Sequence, residues 1–169
     1  VDTEGRNNTR KGVYDICCNY VDFSYKFLFP YRDELEKIGA TEFFNLHIKS
    51  NLKSYTAKYF PGICRDYLDK ENAYSNLPIK YDRMGSWIGK AGTIDFVCRD
   101  ANNHILIGLC NWEKPMMRYE DYEWLMYCCK QAKVKPDYVY LFSSGDFDDG
   151  IRFAANNKKN IRLVTLDEL

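Results

Sequence analysis

The sequence predicts a mixed α/β domain that follows a helical, aromatic-rich extension. Three observations carry this. Five short runs rich in β-branched and aromatic residues follow residue 80, each bounded by turn text: Tyr81–Trp87, Thr93–Arg99, His104–Trp112, Tyr138–Phe142 and Ile161–Thr165. Helical patterns separate the later runs, over Arg118–Lys133 and over a stretch ending near Asn157. From residue 13 to residue 70 the apolar residues recur at helical spacing. Helices followed by the order β-β-β-α-β-α-β imply a mixed sheet flanked by helices.

Residues 1–12 (VDTEGRNNTRKG) are polar and read as a flexible lead-in. Residues 13–51 form the extension. Tyr20, Phe23, Phe27 and Tyr31 fall at helical spacing, Pro30 can open a second short helix, and Gly39 can end it. Thr41 is a candidate N-cap for a helix over 42–50. Residues 52–169 form the α/β domain. Its first helical pattern runs from Leu52 to Lys70, with Tyr55, Tyr59, Ile63, Tyr67 and Leu68 on one face. Pro61 interrupts it, because a proline removes a helical hydrogen bond, so a kink or a helix that starts afresh with Pro61 in its first turn is expected. A loop over 71–80 leads to the strands. In Arg118–Lys133 the apolar face is Tyr122, Leu125, Met126 and Cys129, and 143–150 reads as a loop.

The chain has 169 residues, enough to bury a core without disulfide or metal. Hydrophobic residues at 46% exclude disorder as the main state. No run of about 18 apolar residues exists to span a membrane. Val1 in place of an initiator methionine, with no signal peptide behind it, reads as a shortened chain. The 24 basic residues balance 24 acidic ones, which argues against coating of nucleic acid by bulk charge. The seven cysteines include two adjacent pairs and no C-x-x-C, so zinc-ribbon and disulfide frameworks fail on spacing. Buried free thiols in a reducing cytoplasm are the expectation. No phosphate-binding loop with its lysine-threonine signature is present, so this chain carries no ATPase of its own. His47 and His104 have no nucleophile at a telling spacing. Trp87 and Trp112 read as rim or core aromatics.

The hairpin arms Thr93–Arg99 and His104–Trp112 hold the candidate chemistry. With the turn at Asp100–His104, Asp95 lies opposite Leu109 and Thr93 opposite Asn111. Alternation then places Asp95, Leu109 and Asn111 on one face, and Cys110 on the other. This face holds one carboxylate.

Five segments, in order, resemble the C-terminal domain of unknown function (number 234) found in archaeal and bacterial AAA-type ATPases. FPGICRDYL (Phe60–Leu68) is similar to a family helix F-E-x-I-C-R-x-Y-L, and IKYDRMGSWIGKAG (Ile79–Gly92) to a glycine-tryptophan strand. TIDFV (Thr93–Val97) resembles an I-D-hydrophobic strand, GLCNW (Gly108–Trp112) a G-E-C-K-W strand, and YLFSSGDF (Tyr140–Phe147) a Y-x-L-F-S-x-x-G-F tail. YVDFSYKFLFP looks like the piece preceding that domain. The likeness covers most of residues 14–169. It implies a PD-(D/E)XK, restriction-endonuclease-like fold with an α-β-β-β-α-β core.

An active member of that superfamily sets an Asp and a Glu on a divalent cation and a Lys beside the attacking water. Hard cations need oxygen ligands, and a cation beside the phosphate offsets developing charge. Asp95 matches the first ligand. Leu109 stands at the Glu position, Asn111 at the Lys position and Pro61 at the helix glutamate. The expected function is therefore a catalytically degenerate nuclease-like module of a larger ATPase, acting in DNA binding or protein assembly. It needs no cofactor, and Asp95 is the sole metal ligand if there is one. One alternative is a Mg²⁺- or Mn²⁺-dependent DNA endonuclease whose carboxylate has migrated. Glu113 would then share the Asn111 face if the strand continued, with Asp82 a second substitute. Another is a purely structural interaction domain that docks through aromatic residues of 13–44, which exposure of those aromatics would support. Basic residues that could face DNA are Lys80, Arg83 and Lys90 around the meander. Lys49, Lys53 and Lys58 recur at four and five residues, as on one helical face. The expected partners are the ATPase portion, DNA, or a second copy of the chain, with no membrane.

Overall fold

The computed structural model describes Ile16 and Cys18–Leu169. The lead-in 1–12, the start of the extension and Cys17 lie outside the described residues. The described chain divides into two compact units at Lys58 and Tyr59, seven residues beyond the junction expected at 51 and 52.

The first unit is helical. α1 (Asn19–Phe23) continues through a π-helical turn over Ser24–Leu28 and a 3₁₀ turn over Phe29–Tyr31 into α2 (Arg32–Ile38). Pro30 sits in the first turn of the 3₁₀ segment and Gly39 closes α2, both as the sequence implied. Gly39 has φ +79°, a conformation that costs glycine little and other residues more. α3 (Ala40–Phe43) starts directly from it and runs into a second π-helical turn, Phe44–Ile48. Thr41 is thus inside the helix rather than its N-cap, because Gly39 has already turned the chain. α4 (Leu52–Ala57) completes the unit. Phe27 and Tyr55 pack edge-to-face in its core, 5.1 Å apart, with Phe43 and Ile48 also buried.

The second unit is an α/β sandwich. α5 (Phe60–Ala73) restarts at Pro61, which lies in its first turn where its missing N–H costs nothing. The restart sets the phase of the helix. Its buried face is Phe60, Cys64 and Leu68, while Ile63 from the expected face is exposed. β1 (Tyr81–Gly89), β2 (Gly92–Asp100) and β3 (Ile105–Asn111) form an antiparallel meander. β4 (Met116–Met117) and α6 (Tyr119–Ala132) lead to β5 (Tyr138–Ser143), which pairs parallel with β3. β6 (Asp146–Phe147) and α7 (Asp149–Asn157) lead to β7 (Ile161–Thr165), parallel to β5. A 3₁₀ turn over Leu166–Glu168 ends the chain. The sheet order is β1-β2-β3-β5-β7.

β4 and β6 pair as a two-stranded parallel sheet where the sequence reads only loops. Two residues are too short to show any period. A Cβ at Gly145 would lie 2.1 Å from the Pro115 carbonyl oxygen, so this pairing needs glycine at that position.

Each face of the main sheet carries its own core. Ile107, Leu109, Val139 and Leu141 pack with Leu125 and Cys128 of α6 and Ile151 of α7. Phe96, Leu106, Phe142 and Val164 pack with Phe60, Cys64 and Leu68 of α5. At roughly 25 cal/mol per Å² of apolar surface, each such Leu, Ile or Phe contributes about 2–3 kcal/mol. Among the described residues no helix is long and apolar enough to cross a membrane.

Candidate functional site

The hairpin register is the one the turn implies. Phe96 pairs with Gly108, Cys98 with Leu106 and Arg99 with Ile105. The β2–β3 ladder stops at Phe96. One step further, the Cys110 N–H donates to the Asp95 carboxylate (Oδ2) at 2.7 Å, so a side chain accepts where a backbone carbonyl would. The other side of β2 explains why. Gly85 pairs with Val97 but Trp87 with Ile94, so Asp95 and Phe96 together oppose Ser86 alone. This β-bulge breaks simple alternation. Ile94 and Val97 both pack on the α6 side of the sheet, while Phe96 packs on the α5 side. The single face expected for Asp95, Leu109 and Asn111 assumed an unbroken ladder, and the bulge removes that assumption.

Leu109 is 8% exposed and belongs to the core beneath α6. Asn111 is committed to its own loop. Its amide donates to the Lys114 carbonyl at 3.0 Å and to Ser143 Oγ at 3.1 Å, and its Oδ1 accepts the Lys114 N–H at 3.2 Å. Ser143 is fully buried and also accepts the Gly145 N–H. Pro61 opens α5, whose Cys64 packs with Cys110 on the opposite side of the sheet from Leu109. Pro61 thus belongs to the α5 side of the sheet and Leu109 to the α6 side. β3 ends at Asn111, so Glu113 lies in the exposed bend beyond it and the strand it required is absent. Asp82, Glu120 and Glu123 are exposed, and Asp121 binds Lys114 at 2.6 Å and the Arg118 N–H at 2.9 Å. Among the described residues no three His, Cys, Asp or Glu side chains are placed to hold a metal ion.

Electrostatics follow from this burial. Desolvation raises the Asp95 carboxyl above its usual range, and the Cys110 amide offsets only part of that. Burial, then a hydrogen bond with the Cys64 thiol, push the Cys110 thiol far up, so this sulfur sits in a poor environment for thiolate chemistry. Cys64, Cys98, Cys128 and Cys129 are buried, Cys110 is half-buried and Cys18 is exposed, all as free thiols. Trp112 packs on Phe60 with centroids 5.1 Å apart, and Trp87 packs at the edge of the α6-side core.

The lysines singled out by spacing do not lie on one continuous helix. Ile48 ends one helix and Leu52 begins the next, so Lys49 is separated from Lys53 and Lys58 by a turn. Their four- and five-residue spacing assumed a continuous helix. Lys58 is paired with Asp22 and lies over the Tyr55 ring at 5.1 Å. Around the meander, Lys80 donates to the Asn72 carbonyl, while Arg83 and Lys90 are exposed.

The helical unit leaves several aromatic rings exposed. Tyr20, Tyr25 and Phe29 are 74%, 61% and 58% exposed, and the Tyr25 and Phe29 rings lie 4.9 Å apart. Tyr20, Ser24, Leu28, Phe29, Arg32 and Leu35 line a groove of about 220 Å³. Among the described residues the buried Ser24 hydroxyl has no hydrogen-bond partner. The aromatic pattern was legible in the sequence, but the choice of which rings to expose was not.

A family model for domain of unknown function 234, described as archaeal and bacterial proteins of unknown function, matches residues 24–125. The chain belongs to this family. The match runs from the π-helical turn of the first unit to Leu125 of α6, and so takes in the helical unit from Ser24 onward, the meander and the bulge at Asp95. An uncharacterized protein of Methanocaldococcus jannaschii is 26% identical over 95 residues, which are 56% of this chain and 21% of that relative. The matched part thus spans about a fifth of the relative's length. No solved structure matches the chain.

Proposed function

We propose that this family member is a catalytically degenerate, restriction-endonuclease-like module of a longer protein, and that it serves assembly of that protein. The helix, meander, helix and strand order of the α/β unit fits a PD-(D/E)XK core. The observation that carries the non-catalytic reading is the Asp95 carboxylate, which accepts the Cys110 amide at 2.7 Å, while among the described residues no three His, Cys, Asp or Glu side chains come together to hold a metal ion. A divalent cation needs several oxygen ligands and gains little from one such group.

Assembly is favoured by the aromatic row of the helical unit. Apolar side chains left this exposed mark interaction surfaces, and residues from this row fall within the family match. The occupant is the remainder of the longer polypeptide, which by resemblance is an ATPase portion working in the cytoplasm. The test uses the full-length natural protein with Tyr20→Ser, Tyr25→Ser and Phe29→Ser combined. The reading predicts that light scattering finds the assembly dispersed while thermal unfolding of the α/β unit is unchanged. An intact assembly would overturn it.

A further inference from the structure

Five lysines gather where two loops enter the parallel strands. Lys130 lies in the last turn of α6, Lys133 is its C-cap and Lys135 follows in the loop to β5. Lys158 and Lys159 lie in the loop between α7 and β7. β5 and β7 are adjacent and parallel, so both loops reach the same end of the sheet. Hydrogen bonds fix the loops together. The Val139 N–H donates to the Asn160 carbonyl at 2.8 Å, and the Asn160 amide donates to the Asp137 carbonyl at 2.9 Å.

All five lysines are exposed. Among the described residues none is held in an ion pair, and Lys158 lies over the Tyr122 ring at 5.6 Å. Residues 130–137 and 156–160 contain one acid, Asp137, whose carboxylate accepts the Ile105 N–H at 2.8 Å. In a chain of zero net charge this is a concentrated positive patch. Lys130 and Lys133 also complement the carbonyl end of α6, a local stabilising role. Lys135 and Lys159 lie beyond the helix ends and have no such role.

We propose that this end of the sheet binds the phosphodiester backbone of a nucleic-acid duplex without reading its sequence. Lysine is a hydrated point charge on a flexible stem, suited to phosphates at any sequence. Exposed Tyr127 and Phe153 flank the two segments one helical turn away, and no large exposed apolar residue lies within them. A protein partner relies on such anchors, whereas a phosphate backbone needs none. The proposal stands independently of the assembly reading.

The test is fluorescence anisotropy of a labelled DNA duplex between 50 and 200 mM salt. With three phosphates neutralised, affinity falls about 40-fold across that range. The combined Lys130→Gln, Lys135→Gln and Lys159→Gln variant is expected to bind at least tenfold more weakly at low salt and to lose most of the salt slope. The pair Lys135→Gln and Lys159→Gln, which touches no helix end, is expected to show part of the same loss with unchanged thermal unfolding. A duplex of unrelated sequence should bind equally. Salt-independent or absent binding by the parent, parent-like binding by both variants, or preference for a poly-glutamate peptide over the duplex would each overturn the proposal.

Discussion

Replacing Asp95 separates a structural carboxylate from a catalytic one. In the native fold its Oδ2 accepts the Cys110 N–H at 2.7 Å, at a bulge where the β2–β3 ladder gives out. Asp95→Ala removes the acceptor and leaves a part-buried amide unsatisfied. A hydrogen bond to a charged group is worth about 1.5–3 kcal/mol, or a fall in Tm of about 3–12 °C for a chain of this size. Asp95→Asn keeps an acceptor oxygen and removes the buried charge. Burial raises the Asp95 carboxyl. The stability linked to that shift is therefore present below the unfolded value near 3.9 and is lost as pH rises through the higher folded value. The asparagine variant escapes that loss. Urea unfolding followed by tryptophan fluorescence at pH 7 should rank Asp95→Asn at or above the parent and Asp95→Ala well below. At pH 4 the advantage of asparagine over the parent should shrink. An alanine variant as stable as the parent, or an asparagine variant as weak as alanine, would refute the structural role.

Other expectations follow from single contacts. The Asp148 carboxylate accepts the Ile151 N–H at 2.8 Å as N-cap of α7 and the Tyr119 N–H at 2.9 Å at the start of α6. Asp148→Ala should therefore cost about 1–3 kcal/mol by chemical denaturation, more than a cap serving one helix. In the β2–β3 turn the Asp100 carboxylate accepts the amides of Asn102 and His104 and meets His104 Nδ1 at 2.8 Å. That hydrogen bond raises His104, while burial of Asp100 is outweighed by its hydrogen bonds and its carboxyl is lowered. The His104 contribution is complete below about 6.5 and fades as pH rises through its raised value; that of Asp100 holds above about 3.9 and fades as pH falls through its lowered one. An NMR titration should place His104 above 6.5, and Asp100→Asn should return it toward 6.5.

The strand order, the hairpin register and the restart of α5 at Pro61 were legible because turn residues and proline act locally. Asp100–Asn103 defines the turn, and the turn fixes every pair from Arg99 and Ile105 to Phe96 and Gly108. What was not legible depended on neighbours distant in sequence. The bulge at Asp95 arises where β2 meets β1, so hairpin counting alone could not show it. The β4–β6 pair joins residues thirty apart with no periodic signal. The π-helical turns at Ser24–Leu28 and Phe44–Ile48 share the apolar spacing of an α-helix closely enough to hide in it. The lysine patch escaped because its two segments are far apart in the chain and meet only through the parallel pairing of β5 and β7. Ion pairing of Lys58 with Asp22 likewise needs the fold to be seen.

The most direct test of the account is Mn²⁺, a cation tolerant of imperfect sites, titrated calorimetrically into the parent and into Asp95→Ala, with plasmid nicking measured on the same samples. The account predicts no binding heat that depends on Asp95, and no nicking that the alanine variant lacks. Mn²⁺ binding and nicking by the parent, both lost in Asp95→Ala, would contradict it and return this sheet to the nucleases.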